Sequence, residues 1–205
     1  MFDKIKERII NGEYSPGVHL VEADLVNEYS VSRTSVKEAL RKLVEAGIAE
    51  LVPHRGVMVR KISLSELADY YTVMARLESL AIRFVAENHD SKMIEELQEI
   101  LEQDKQAVSA GNYVQHRKKL LEFRHKIAEF SGNGPLCEII KRIHTITSIN
   151  SRPFEYAMQS AIENHSIMLN AIINSDADLA EATMENAIKG GLEFLRNNIV
   201  NSNNQ

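Results

Sequence analysis

The amino-acid sequence predicts a mainly α protein in two parts, with one β-hairpin confined to the first. Three observations predict it. Over residues 1 to 62 the apolar residues fall in short runs broken by Gly, Pro and Ser; two β-branched segments near residue 50 flank a four-residue turn; and from Ser63 onward the apolar residues recur at helical spacing. With 205 residues the chain can hold one large domain or two of ordinary size. Hydrophobic residues make up 44% and charged residues 26%, which excludes a disordered or collagen-like chain.

Phe2, Ile5 and Ile9 share one face of a first helix, which Gly12 and the turn Ser15-Pro16-Gly17 end. A second helix is expected from about Glu22 to Tyr29, with Leu25 and Val26 on its buried side. Ser30-Val31-Ser32 breaks the chain, and Ser32 is placed to cap a third helix, because a serine hydroxyl can accept from the free amides of the first turn. In that helix Val36, Leu40 and Leu43 recur at helical spacing, while Thr34, Lys37, Glu38 and Arg41 take the opposite face; Gly47 closes it. Ile48 to Val52 and Val57 to Arg60 then read as strands around Pro53-His54-Arg55-Gly56. Three helices followed by a hairpin make a winged helix-turn-helix.

The second part begins with the stripe Leu67, Tyr71, Met74, Leu77, Ala81 and Phe84, which predicts helix over roughly 64 to 88. Asp90-Ser91 caps the next helix, which Gly111-Asn112 ends, and another runs from about Tyr113 to Ser131 before Gly132-Asn133-Gly134. Pro135 opens a helix reaching about Asn150, Pro153 starts the next, and Asp176 caps a last one ending near Asn198, with Asn201 to Gln205 as a frayed tail. About six helices with short connections form an all-α antiparallel bundle. The domains are expected at 1–62 and 63–200.

The formal net charge of −5 argues at first against a nucleic-acid partner. It divides unevenly. Residues 1 to 62 carry 10 basic and 9 acidic groups and the remainder 14 and 20, while residues 31 to 62 alone carry 7 against 3. The positive charge therefore sits on the third helix and the hairpin. A helix fits the major groove of double-stranded DNA with its N-terminal residues at the base edges and its first-turn amides toward phosphate. Arg33 suits the paired acceptors of guanine, Thr34 and Ser35 can reach phosphate or a base edge, and Lys37 and Arg41 are placed for phosphates. His54, Arg55 and Gly56 at the hairpin tip suit the adjacent minor groove.

The stretches Asn11 to Gly17, Val31 to Leu40 and Pro53 to Val57 resemble, in order and spacing across residues 2 to 60, the N-terminal domain of GntR-type bacterial transcription regulators. The resemblance places the DNA contacts on Ser32, Arg33, Thr34, Ser35 and Lys37, with the wing at His54 to Gly56. Three positions depart from the family: Ser35 stands where proline is common, Lys37 where arginine is usual, and Ala23 where a basic or polar residue is frequent. Lysine cannot make arginine's planar double contact, so the sequence read at that base pair is expected to differ.

The second part resembles the all-helical FCD effector domain of the FadR subfamily, through Arg76-Leu77-Glu78, Leu120 to Asn133, and Glu163-Asn164-His165 through Asp176, Ala180 and Met184. That resemblance implies a small effector, often a carboxylate held by a metal ion on one Asp and three His. Here Leu120 stands at the aspartate, Arg124 at the first histidine and Ala187 at the last; His165 alone is kept. A slip of one residue would bring in His125 but put Leu121 at the aspartate. One ligand of four does not hold a divalent ion, so no metal or other cofactor is expected. Arg124 is expected to supply the positive charge instead, since a guanidinium grips a carboxylate in two-pronged fashion. The alternative is that Arg124 faces solvent and His165 is a hydrogen-bonded core histidine. Met74 and Arg76 complete the expected pocket, although Met74 on its apolar stripe also reads as core. His116, Lys118 and Lys119 read as a solvated face, His89 and His144 as surface or boundary residues, and Glu95, Glu96, Glu99, Glu102 and Asp104 as a solvated acidic surface.

The expected function is a DNA-binding regulator acting as a homodimer on a palindromic operator and responding to a small, anionic effector. The competing class, an enzyme or ligand-binding bundle, lacks a nucleophile paired with a base and a phosphate-binding glycine loop. The lone Cys137 and the charged start Met1 to Arg8 point to a reducing, cytoplasmic setting without a secretory signal. No run of about 18 apolar residues occurs, so no membrane partner is expected.

Overall fold

The computed structural model describes residues 1–149 and 158–202. Its elements run α1 (Phe2–Ile10), α2 (Glu22–Tyr29), α3 (Arg33–Glu45), β1 (Ala49–Val52), β2 (Gly56–Val59), α4 (Leu64–Glu87), α5 (Ser91–Ser109), α6 (Tyr113–Phe130), α7 (Gly134–Ser148), α8 (Met158–Ile173) and α9 (Ala177–Ser202). They group into two compact units. Met1–Ser63 with His144–Ser151 form the first, and Leu64–Ile143 with Arg152–Gln205 the second. The end of α7 thus goes with the N-terminal elements, which the chain order did not suggest.

In the first unit, α3 packs on α1, α2 and β1 through Val36, Ala39, Leu40 and Leu43, all buried. Each large side chain among them stabilises the unit by roughly 1.5–3 kcal/mol. Ile5 and Ile9 of α1 and Leu25 of α2 face them. Arg8 fastens α1 to α2: its guanidinium donates to Tyr14 Oη at 2.7 Å and Tyr29 Oη at 2.9 Å, pairs with Glu13 and Glu28, and stacks on the Tyr14 ring. The strands pair antiparallel with Ala49 opposite Val59 and Val52 opposite Gly56. A third extended segment lies beside β2, where Val59 N donates to Val18 O and Leu20 N to Val57 O, both at 2.8 Å.

In the second unit, α4 packs along α9, α5 against α6 and α8, and α6 against α4. The core joins Met74, Ile82 and Val85 of α4 with Leu97, Phe123, Ile140, Met168, Ile172 and Met184. Two acidic residues cap as expected: Asp90 Oδ1 accepts from Met93 N at 2.8 Å and Asp176 Oδ1 from Leu179 N at 3.0 Å. Six helices, α4 to α9, are described here. The expected helix start at Pro153 lies outside the described residues, and α9 runs on to Ser202 rather than ending near Asn198. Asn201 and Ser202, expected in a frayed tail, belong instead to the end of α9.

Three expectations of solvation fail. Asp104 and His116 are buried, and so is His144, at the end of α7 that belongs to the first unit. Asp104 follows Leu97, Ile100 and Leu101 on the inner stripe of α5, and His116 lies seven residues before Phe123 on the inner face of α6. Position on the stripe, rather than residue type, decided their burial.

Candidate nucleic-acid interface and buried charge cluster

The N-terminus of α3 is exposed and polar. Ser32 caps it, its hydroxyl accepting from Ser35 N at 3.2 Å and lying 3.0 Å from Ser35 Oγ. A proline at 35 would remove that amide donor, so the serine found there keeps the cap. Ser32, Arg33, Thr34, Ser35, Lys37 and Arg41 are all exposed, and Thr34, Lys37 and Arg41 lie on the side of α3 opposite Val36, Leu40 and Leu43. Arg41 is already engaged, in an ion pair with Glu45 one turn on.

The hairpin tip is fixed by backbone conformation. His54 has φ +62° and Gly56 φ +80°, left-handed values that suit a tight turn. The glycine suits this positive φ, and a Cβ on Gly56 would stand 2.8 Å from Nε2 of the exposed His19 side chain, which would have to move. His54 and Arg55 are exposed at the tip.

The second unit holds a cluster of buried charge that the sequence only partly revealed. Arg124 does not face solvent; its Nη1 lies 3.5 Å from Oε2 of Glu78, which α4 buries at 1% exposure. His165, on α8, is buried and stacks on Phe123 with ring centroids 4.2 Å apart. Among the described residues its Nδ1 has no hydrogen-bond partner. Burial, reinforced by the Arg124 charge, pushes its pKa down to about 3, so it is a neutral imidazole at pH 7. Tyr71 feels the charges of Arg124 and Glu78, and burial, the larger effect, raises its phenol's pKa; burial lowers that of the Arg117 guanidinium, which interacts with Tyr71. Tyr71 packs against α9, its Cε1 3.0 Å from where a Cβ on Gly191 would stand. Beside the cluster, His116 Nδ1 meets Asp104 Oδ1 at 2.6 Å.

Of the expected pocket residues, Arg124 and His165 share this cluster, and Met74 is packed in the core around it. Arg76 does not join them. Its side chain is 73% exposed and pairs with Glu185 at 3.0 Å. Arg76 and Glu78 are two residues apart, so on a helix they point to different sides. Glu78 was not among the expected pocket residues; its place one turn after Met74 and two after Tyr71 is the signal that could have found it. A resident metal does not fit: Leu120 and Ala187 offer no donor, the Arg124 cation repels a divalent ion, and among the described residues no three His, Cys, Asp or Glu side chains gather as a metal site.

An exposed capped helix beside a glycine-fixed wing, followed by a six-helix domain with an ionic interior, defines a transcription regulator with separate DNA-binding and effector-type domains. Comparison with known proteins agrees. Residues 1–59 match the family model "Bacterial regulatory proteins, gntR family" and residues 69–190 the "FCD domain". The chain belongs to the GntR family of transcription regulators, in its FCD-bearing, FadR-like branch, and is not an enzyme. It is 28% identical over 196 residues to the HTH-type transcriptional regulator McbR of Escherichia coli, covering 89% of this chain and 87% of that one. It is 24% identical over 146 residues to an uncharacterized HTH-type regulator, YdhC, of Bacillus subtilis, covering 71% of this chain and 65% of that one, just short of two-thirds. Among solved structures, E. coli McbR/YncC superposes with a TM-score of 0.83 at 23% identity over 97% of this chain and 96% of that one. Among the described residues no helix is long and apolar enough to cross a membrane.

Proposed function

We propose that two copies of this chain bind a palindromic operator and that a small anionic effector, held in the helical domain, changes that binding. A single reading head spans only a few base pairs, so selective recognition calls for two heads on two half-sites related by the protein's own two-fold. Arg33 reads a base edge, Ser32, Thr34, Ser35 and Lys37 fix the helix on phosphate and neighbouring bases, and Arg55 with His54 and Gly56 enters the minor groove. Arg41, paired with Glu45, contributes a phosphate contact once that exposed pair opens.

The observation that carries the effector reading is the charge of the buried cluster. His165 is neutral, so Arg124 supplies the cation that a metal supplies in relatives. A carboxylate or another anion fits that cation through a two-pronged contact. Binding acts on DNA only through a difference in affinity for two arrangements of the reading heads. The protein works in the cytoplasm, where DNA and a reduced Cys137 coexist.

The test is operator binding by fluorescence anisotropy with and without a carboxylate that stabilises the protein. Arg124→Met should remove the response to the carboxylate while leaving operator affinity in its absence unchanged. A full response in that variant contradicts the effector reading.

A further inference from the structure

We infer that Glu78 is an internal stand-in for the effector: its carboxylate holds Arg124 when no effector is bound, and an incoming carboxylate binds by replacing it. This rests on the reading of Arg124 as the effector's cation. Glu78 is 1% exposed, and a buried carboxylate needs a cation nearby. Yet the pair it forms is loose. The Arg124 Nη1 to Glu78 Oε2 distance is 3.5 Å, beyond the usual range for an N–H···O bond. Among the described residues, Arg124 Nε is buried with no hydrogen-bond partner, and so is His165 Nδ1.

Unmet buried polar atoms are rare in folded proteins and call for an explanation. Here two of them belong to groups that interact with each other. The Arg124 charge acts on His165, and Glu78 acts on it with the opposite sign. A free carboxylate can meet Nε and an Nη in the parallel fork that Glu78, tethered to α4, does not form. The exchange keeps the number of charges on Arg124 the same and improves the geometry of the contact. Glu78 sits on α4, whose opposite end directly follows the first unit in the chain, so a shift of Glu78 is a shift in the helix that leads to the reading head.

The consequence is a signature that a purely structural Glu78 does not give. Glu78→Gln removes the competing charge, so the variant should be less stable on its own and yet respond more strongly to carboxylates. The experiment is thermal melting of the full chain with acetate, succinate, benzoate and inorganic phosphate, for wild type, Glu78→Gln, Glu78→Asp, Arg124→Lys and Arg124→Met. We expect stabilisation by at least one carboxylate at about tenfold lower concentration in Glu78→Gln than in wild type. Glu78→Asp should lie between them, Arg124→Lys should respond weakly and Arg124→Met should not respond. If Glu78→Gln does not fold, Glu78→Asp carries the comparison with wild type. An unchanged response in the Glu78 variants, with loss in Arg124→Met, overturns the exchange and leaves the anion site standing. An equal response in wild type and Arg124→Met overturns the Arg124 reading itself. Stabilisation of Glu78→Gln by phosphate alone overturns the carboxylate assignment.

Discussion

His116 Nδ1 lies 2.6 Å from Asp104 Oδ1, and both side chains are buried between α5 and α6. The two residues stand on inner helix faces otherwise filled by Leu97, Ile100, Leu101 and Phe123, so each is tolerable there only because the other is present. Replacing His116 by Ala leaves the Asp104 carboxylate buried without its partner. We expect a loss of about 3–5 kcal/mol of stability in urea unfolding. A double change of Asp104 and His116 to Leu should cost much less than the sum of the two single changes. Additive losses would mean that the pair is not coupled.

The wing offers a sharper local test. Gly56→Ala must hold an alanine at φ +80° and place its Cβ against His19. The backbone part costs roughly 1–2 kcal/mol, and the contact adds to it. Adding His19→Ala should recover the contact part but not the backbone part. Thermal melting of the four proteins decides this, and full recovery in the double variant would show that the backbone term is negligible.

His165 gives the stability a defined pH dependence. The unfolded chain takes up a proton at this residue as pH falls through 6.5, whereas the folded chain keeps it neutral until about pH 3. The folded state therefore carries no penalty from His165 above pH 6.5 and loses stability progressively below it, by about 2 kcal/mol at pH 5. His165→Leu should flatten that part of the profile of unfolding free energy against pH. An identical slope in the variant would assign the dependence to other groups.

The ligand positions predict a protein without a resident metal. Elemental analysis of the purified chain should find no stoichiometric zinc, nickel or manganese, and a chelator should leave operator binding unchanged. Stoichiometric metal would contradict the reading of Leu120, Arg124 and Ala187.

Most of the fold was legible because its signals are local. Ser32, Asp90 and Asp176 cap helices that their neighbours begin, and Val36, Leu40 and Leu43 define a buried face by spacing alone. The third helix, α3, was legible for the same reason. The interior of the second unit was harder to read, because a charged residue on an apolar stripe looks like a surface residue until its partner from another helix is known. Glu78 needs Arg124, forty-six positions on, and Asp104 needs His116 across a turn. Arg76 illustrates the reverse error: the motif drew attention to it, while helical geometry turns it outward.

The regulator reading is tested most directly by selecting fragments of the organism's own genomic DNA with wild type and with Arg33→Ala. The account predicts that wild type enriches a shared inverted repeat with half-sites one helical turn or a multiple apart. Arg33→Ala should bind that repeat about 1–3 kcal/mol more weakly and with relaxed preference at one base pair of each half-site. Enrichment of the same fragments with the same affinity by both proteins, or of fragments without a common repeat, would contradict it.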